Sequence, residues 1–136
     1  MLKVLEDRVR IQDEELPRVR FGDPAGTLND YVLCLYDAVA SEPIVEALAA
    51  AGGGCGKASD GGATPCWRAK STKGFGFKGS KLLHPHGVKA VKLLEGEAGR
   101  PTVIVKGKGE LVPMPALPLS FPVTVQVQNA QGACWE

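Results

Sequence analysis

Residues 123–129, Val-Thr-Val-Gln-Val-Gln-Asn, alternate apolar and polar side chains without a break. An extended backbone puts Val123, Val125 and Val127 on one face and Thr124, Gln126 and Gln128 on the other, because the side chains of a strand repeat every two residues. The same period marks Arg8–Gln12, where Val9 and Ile11 face one way and Arg8, Arg10 and Gln12 the other. It returns in Arg18–Phe21. Seventeen glycines and ten prolines, about a fifth of the residues, cut the chain into short pieces. That punctuation suits many short strands joined by turns and leaves little room for long helices.

Other segments fit the same scheme. Tyr31–Asp37 is a nearly continuous apolar run with aromatic and β-branched members and reads as a central strand. Cys66–Lys70 and Gly74–Ser80 read as two strands about a turn. Gly87–Gly96, apolar at Val88, Val91, Leu93 and Leu94, reads as a strand with a bulge. Thr102–Gly109 is a strand that runs out into glycine. Prolines at 113, 115, 118 and 122 exclude helix and central ladder, so an extended, polyproline-like stretch is expected there. Ser41–Gly54 is ambiguous. Ser41 can cap a helix, Pro43 suits its first turn, the alanines propagate it and Gly52 stops it. A strand from Ile44 to Leu48 competes, and the local pattern favours the helix. About nine or ten short strands without βαβ alternation make an all-β antiparallel sandwich, Ig-like or jelly-roll-like, the expected architecture of a single domain spanning residues 1–136.

Composition narrows the function classes. With 16 basic and 15 acidic residues, the charge balance makes no general case for nucleic acid. No run of eighteen apolar residues is present to span a membrane as a helix. Met1 is followed by Lys3, Glu6, Asp7 and Arg8, unlike a signal peptide, so a secreted form has its leader removed. The strand-like Ala133–Glu136 at the end predicts a continuation of the chain.

The chemical candidates are few. The cysteines are Cys34, Cys55, Cys66 and Cys134. Their gaps are too wide for the close ligand pairs of a structural zinc site. Nothing in the sequence brings His84 or His86 to a thiol, as nucleophilic catalysis would require. The even count reads as two disulfides and an oxidising compartment. Three pairings are open. Cys55–Cys66 closing the glycine-rich loop and Cys34–Cys134 tying the central strand to the last one are the expected pair, the second worth roughly 4–5 kcal/mol in the chain-entropy picture. His84 and His86 flank Pro85 without a carboxylate cluster and are expected as solvated turn residues. Lys70, Lys73, Lys78 and Lys81 interleave with Phe75 and Phe77, as in a single-strand grip, but an ordinary strand with inward phenylalanines needs the same spacing. Asp7, Asp13, Glu14 and Glu15 sit near arginines and read as a solvated face. No triad, carboxylate pair or phosphate loop is seen, so no enzyme and no cofactor are expected.

Taken together, "GDPAGTLNDYVLCLYDA", "AGGGCG…TPCWRAKSTKGFGFK" and "GVKAVKLLEGEAGRPTVIVKGKGELVPMPALPLSFPVTVQVQNAQGACWE" resemble a repeated, disulfide-containing domain of large secreted bacterial proteins. The likeness runs from about Val4 to Glu136. It implies an extracellular or cell-surface β-rich module without enzymatic activity, often in tandem. It also favours a strand over "IVEALAA". The loop between Cys55 and Cys66 is longer here, with "KASDGGAT" inserted, and "LLHPHGV" replaces a short polar turn. Two functions follow as expectations. One is a structural or assembly module whose partners are copies of itself or neighbouring repeats, with residues 1–12 as an exchangeable strand and Val9 and Ile11 setting its register. The other is a glycan- or ligand-binding module in which Trp67, Trp135, Tyr31 and Tyr36 form a stacking platform. Trp67 and Trp135 each follow a cysteine, which also suits core packing against a disulfide.

Overall fold

The computed structural model describes residues 2–5, 8–12, 21–57, 59–70, 74–79, 86–95, 101–108, 110–112 and 114–136, with residues 2–5, 8–12 and 57 described as backbone only. Among the described residues, ten strands form two antiparallel sheets, and two more form a separate ribbon. The strands are β1 (Leu2–Leu5), β2 (Arg8–Gln12), β3 (Tyr31–Tyr36), β4 (Val45–Ala49), β5 (Gly54–Lys57), β6 (Ala63–Pro65), β7 (Trp67–Ala69), β8 (Gly74–Lys78), β9 (Val88–Leu94), β10 (Thr102–Gly107), β11 (Thr124–Asn129) and β12 (Cys134–Trp135). One sheet has the order β1-β2-β10-β9-β8-β7, the other β12-β11-β3-β4, and β5 pairs with β6. This is the antiparallel sandwich expected from the alternation. The strand expected at Arg18–Phe21 lies outside the described residues except for Phe21, which is buried in a loop.

The sheets meet over a core of Ala47, Ala49 and Val127 from the smaller sheet and Phe77, Val88, Val91, Leu93, Val103 and Val105 from the larger. β11 buries Val125 and Val127 and leaves Thr124, Gln126 and Gln128 half-buried on its other face, as a period of two requires. In β9 the inward residues Val88 and Val91 are an odd number of positions apart. The register against β10 slips there: Lys106 pairs with Ala90 but Gly107 with Val88. The extra residue, Lys89, is the bulge that returns Val88 to the core face. β8 approaches β9 so closely that a Cβ at Gly74 (φ +127°) would lie 1.9 Å from the Leu93 carbonyl oxygen, so only glycine fits.

Val45–Ala49 is a strand, which corrects the local helical reading. Val45, Ala47 and Ala49 point inward while Glu46 is exposed. Pairing with β3 along the whole length supplies ladder bonds that a two-turn helix could not match. Residues 110–122 form no strand among the described positions, as the prolines require. The segment is not a uniform polyproline helix, since the chain bends at 117–118 and 121–122, where both X-Pro bonds are cis.

Candidate functional site

The glycine-rich stretch is a stapled ribbon. Cys55 on β5 and Cys66, just before β7, are bonded. Cys66 is buried and belongs to the core cluster, so the staple fixes the base of the ribbon to the sandwich. At the tip, residues 59–63 are exposed.

Cys34 and Cys134 are not bonded to each other, which corrects the second expected bridge. Cys34 lies opposite Gln126 and Cys134 opposite Gln128, so both thiols share the outer face of the smaller sheet with β11 between them. Two strand spacings, roughly 10 Å, exceed the Cα separation of about 4.4–6.8 Å that a disulfide spans. Cys34 is buried and Cys134 exposed. Burial pushes the Cys34 thiol up from its ordinary range, partly offset by the Tyr36 hydroxyl. Desolvation raises Cys134 as well, helped by the Glu136 carboxylate.

The expected stacking platform is not a surface. Trp67, Trp135 and Tyr31 are each 1% exposed, and Tyr36 lies apart from them on the outer face of β3. The buried rings instead cross the core as a chain. Phe21 meets Trp135 at 5.6 Å, Trp135 stacks on Tyr31 at 5.9 Å, Tyr31 meets Trp67 at 5.5 Å and Trp67 meets Phe77 at 5.1 Å. Trp67 donates through Nε1 to the Ala50 carbonyl, fixing the larger sheet to the end of β4. The physical reason for the correction is the cost of leaving large rings in water when two sheets offer a dry interior. Phe77 is likewise buried and Phe75 packs on the core, so the phenylalanines between the lysines serve the strand. Lys73 and Lys81 lie outside the described residues.

Beside these rings lies a polar knot that sequence reading missed. The Phe21 carbonyl accepts from Asn29 Nδ2 at 2.8 Å and from the Tyr31 hydroxyl. Asn129 Oδ1 accepts from the amides of Gln131 at 3.1 Å and Ala133 at 2.9 Å, shaping the turn into β12. Burial pushes Tyr31 up to about 12, with the Asn129 and Asn29 side chains pulling the other way. The available signal was an asparagine at the start of one strand, Asn29, and another at the end of its partner, Asn129, where amide side chains favour turns.

His84 lies outside the described residues. His86 is half-buried, and its Nδ1 accepts the Leu48 amide at 3.1 Å, closing part of the β4 edge from the turn before β9. The solvated-turn expectation therefore does not hold for His86. Among the described residues no three His, Cys, Asp or Glu side chains converge as a metal site. A cavity of about 10 Å³ between the sheets, lined by Tyr31, Ala47, Ala49, Val91, Val105 and Val127 among others, has room for no more than one water. Asp7, Asp13, Glu14 and Glu15 also fall outside the described side chains.

The N-terminal strands lie along one side of the larger sheet. β2 pairs antiparallel with β10 of the same chain, Val9 opposite Val105 and Ile11 opposite Val103, and β1 folds back on β2. A disulfide is compatible with an extracellular location. Among the described residues no helix is long and apolar enough to cross a membrane. Comparison with family models, curated proteins and solved structures finds no match to this chain.

Proposed function

We propose that the protein is an extracellular structural or assembly module, a unit of a bacterial surface fibre or filament built by exchange of its N-terminal strand. One observation carries the reading. β10 is buried at Thr102, Val103, Ile104 and Val105, and the strand beside it, β2, belongs to a hairpin that joins the larger sheet through β10. Stripped of β2, β10 would be a long apolar edge, which proteins avoid exposing. The antiparallel register that β2 supplies can be supplied equally by β2 of a neighbouring copy. The Cys55–Cys66 bond and the resemblance to a secreted repeat domain support the location.

The test uses two chains, both Cys34→Ser and Cys134→Ser, one carrying Val9→Cys and the other Val105→Cys. These positions face each other across β2 and β10. The chains are refolded together and oxidised. Strand exchange predicts a cross-linked pair on a non-reducing gel. Two uncross-linked monomers, with a single chain carrying both cysteines closing internally, would mean the strand serves only its own sheet.

A further inference from the structure

The two broad faces of the sandwich carry opposite charge. The six strands of the larger sheet hold eight of the chain's sixteen lysines and arginines and none of its fifteen acids. The four strands of the smaller sheet hold no basic residue. Glu46 stands on their outer face beside Cys34, and Glu136 is bonded there to Gln126. A chain with a net charge of +1 has therefore sorted its charge by face. Register shows how the cations are set. Phe77, Val91 and Val105 form a row toward the core, so their neighbours along each strand face outward. One outward row runs Arg68, Gly76, Lys92 and Ile104. The next holds Lys78, Ala90 and Lys106. Arg68, Lys78 and Lys92 are exposed and Lys106 is half-buried. Ile104 and Thr102 are buried on β10, so the open part of the face lies over β7, β8 and β9.

Gly76 is the floor of this open part. A Cβ built on it would come within 2.7 Å of Lys70 Cε and 3.7 Å of Lys70 Nζ, so the Lys70 side chain lies over β8. Its ammonium joins the row in which Gly76 separates Arg68 from Lys92, two strand spacings or roughly 10 Å apart. Lys78 follows about 7 Å further along β8. Four cations held this close on one floor repel one another unless an anion lies among them, and the six strands supply no carboxylate.

We infer that the outer face of β7, β8 and β9 binds an acidic polysaccharide, its carboxylates lying among Arg68, Lys70, Lys78 and Lys92. The sign of the face calls for a polyanion, and the rest of its chemistry narrows the kind. Phe77 is buried in the core and Phe75 packs against it, which leaves these strands no outward ring on which nucleotide bases could stack. The near-neutral chain exerts no long-range pull on a duplex. Among the described residues, the exposed large apolar side chains all lie off these strands, whereas entry into a lipid surface needs them beside the cations. A polymer of acidic sugars needs neither rings nor apolar anchors. Its carboxylates pair with lysine and arginine while its hydroxyls stay in water. The inference takes only the extracellular location from the reading above and does not require strand exchange.

Calorimetric titration of the full chain with polygalacturonate tests it. At low ionic strength the native chain should bind, and its affinity should fall as salt is added. Lys78→Gln with Lys92→Gln should weaken binding about fivefold or more. Val39→Glu with Leu117→Glu makes the same change in net charge at exposed positions off both sheets and should leave the affinity near the native value. Both pairs should melt with the native chain, because the altered side chains are exposed. A native chain that does not bind polygalacturonate, or an equal loss in the two pairs, would overturn the inference. So would tighter binding of duplex DNA or of vesicles containing anionic lipid. Self-association of the chain alone, abolished by the lysine pair, would also overturn it and give the face to Glu46 and Glu136 of a second copy. The Val9–Val105 cross-link is read without polymer. A cross-linked chain that ignores polygalacturonate sinks this inference alone, and an uncross-linked chain that binds it sinks strand exchange alone.

Discussion

Cys134 and Tyr31 sit on opposite faces of the same sheet and respond to pH for related reasons. The Cys134 thiol is held above its ordinary value of 9.0 by desolvation and then by Glu136. Its alkylation at neutral pH should run slower than that of a free cysteine and accelerate only in alkaline solution. Glu136→Gln removes the second cause and should speed the reaction at fixed pH, as mass spectrometry of native protein would show. Cys34 should react only on unfolding, and Cys55 and Cys66 only after reduction. Tyr31 goes from a reference of 10.0 to about 12, chiefly through burial. A raised folded value means that the proton is held more tightly in the fold. The stability it contributes is whole below pH 10 and is lost as pH climbs toward about 12. Denaturant midpoints across that window should fall in the native chain and fall less in Tyr31→Phe. The burial of Trp67 and Trp135 was half legible in the sequence. A tryptophan after a cysteine suits either a core or a platform, and only the opposing sheet decides between them.

Strands with a clean period of two were readable because one residue type faced each side, as in β11. β9 was readable with its bulge because Val88 and Val91 break the period by one place. β4 misled for a definable reason. Its inward residues are mostly alanine, a good helix former, while Leu48 on the other parity blurs the alternation. His86 was missed because its role depends on a partner 38 residues away in sequence. His86→Ala leaves the Leu48 amide without its acceptor and should cost about 1 kcal/mol. Chemical denaturation would read that loss against the smaller effect, within about 0.5 kcal/mol, of a solvated turn residue.

The class of fold was legible in the chain, while the order of strands was not. β2 lies beside β10 and β3 beside β11, partners some ninety residues apart in sequence. No local pattern encodes such a pairing, because strands of similar alternation are interchangeable until the sheets close. The pairing of Cys34 with Cys134 failed on the same point. Both strands were recognised, but β11 stands between them. Pairings this distant must close long loops before any contact repays them. Refolding with the disulfide intact should therefore take milliseconds to seconds rather than microseconds, as stopped-flow tryptophan fluorescence would record. A microsecond phase carrying the whole amplitude would contradict that.

The ribbon of β5 and β6 gives the molecule a place to vary. It belongs to neither sheet, its tip is exposed, and a side chain built at Gly61 would meet nothing within 4 Å. Cys55–Cys66 anchors its base, so changes beyond the staple need not reach the core. Each doubling of a flexible loop costs only about 0.6 kcal/mol. A ten-residue soluble peptide inserted at Gly61 should thus leave the melting temperature nearly unchanged while remaining accessible to an antibody. The hairpin is thus a display position, one whose sequence can be rewritten without disturbing the sandwich beneath it.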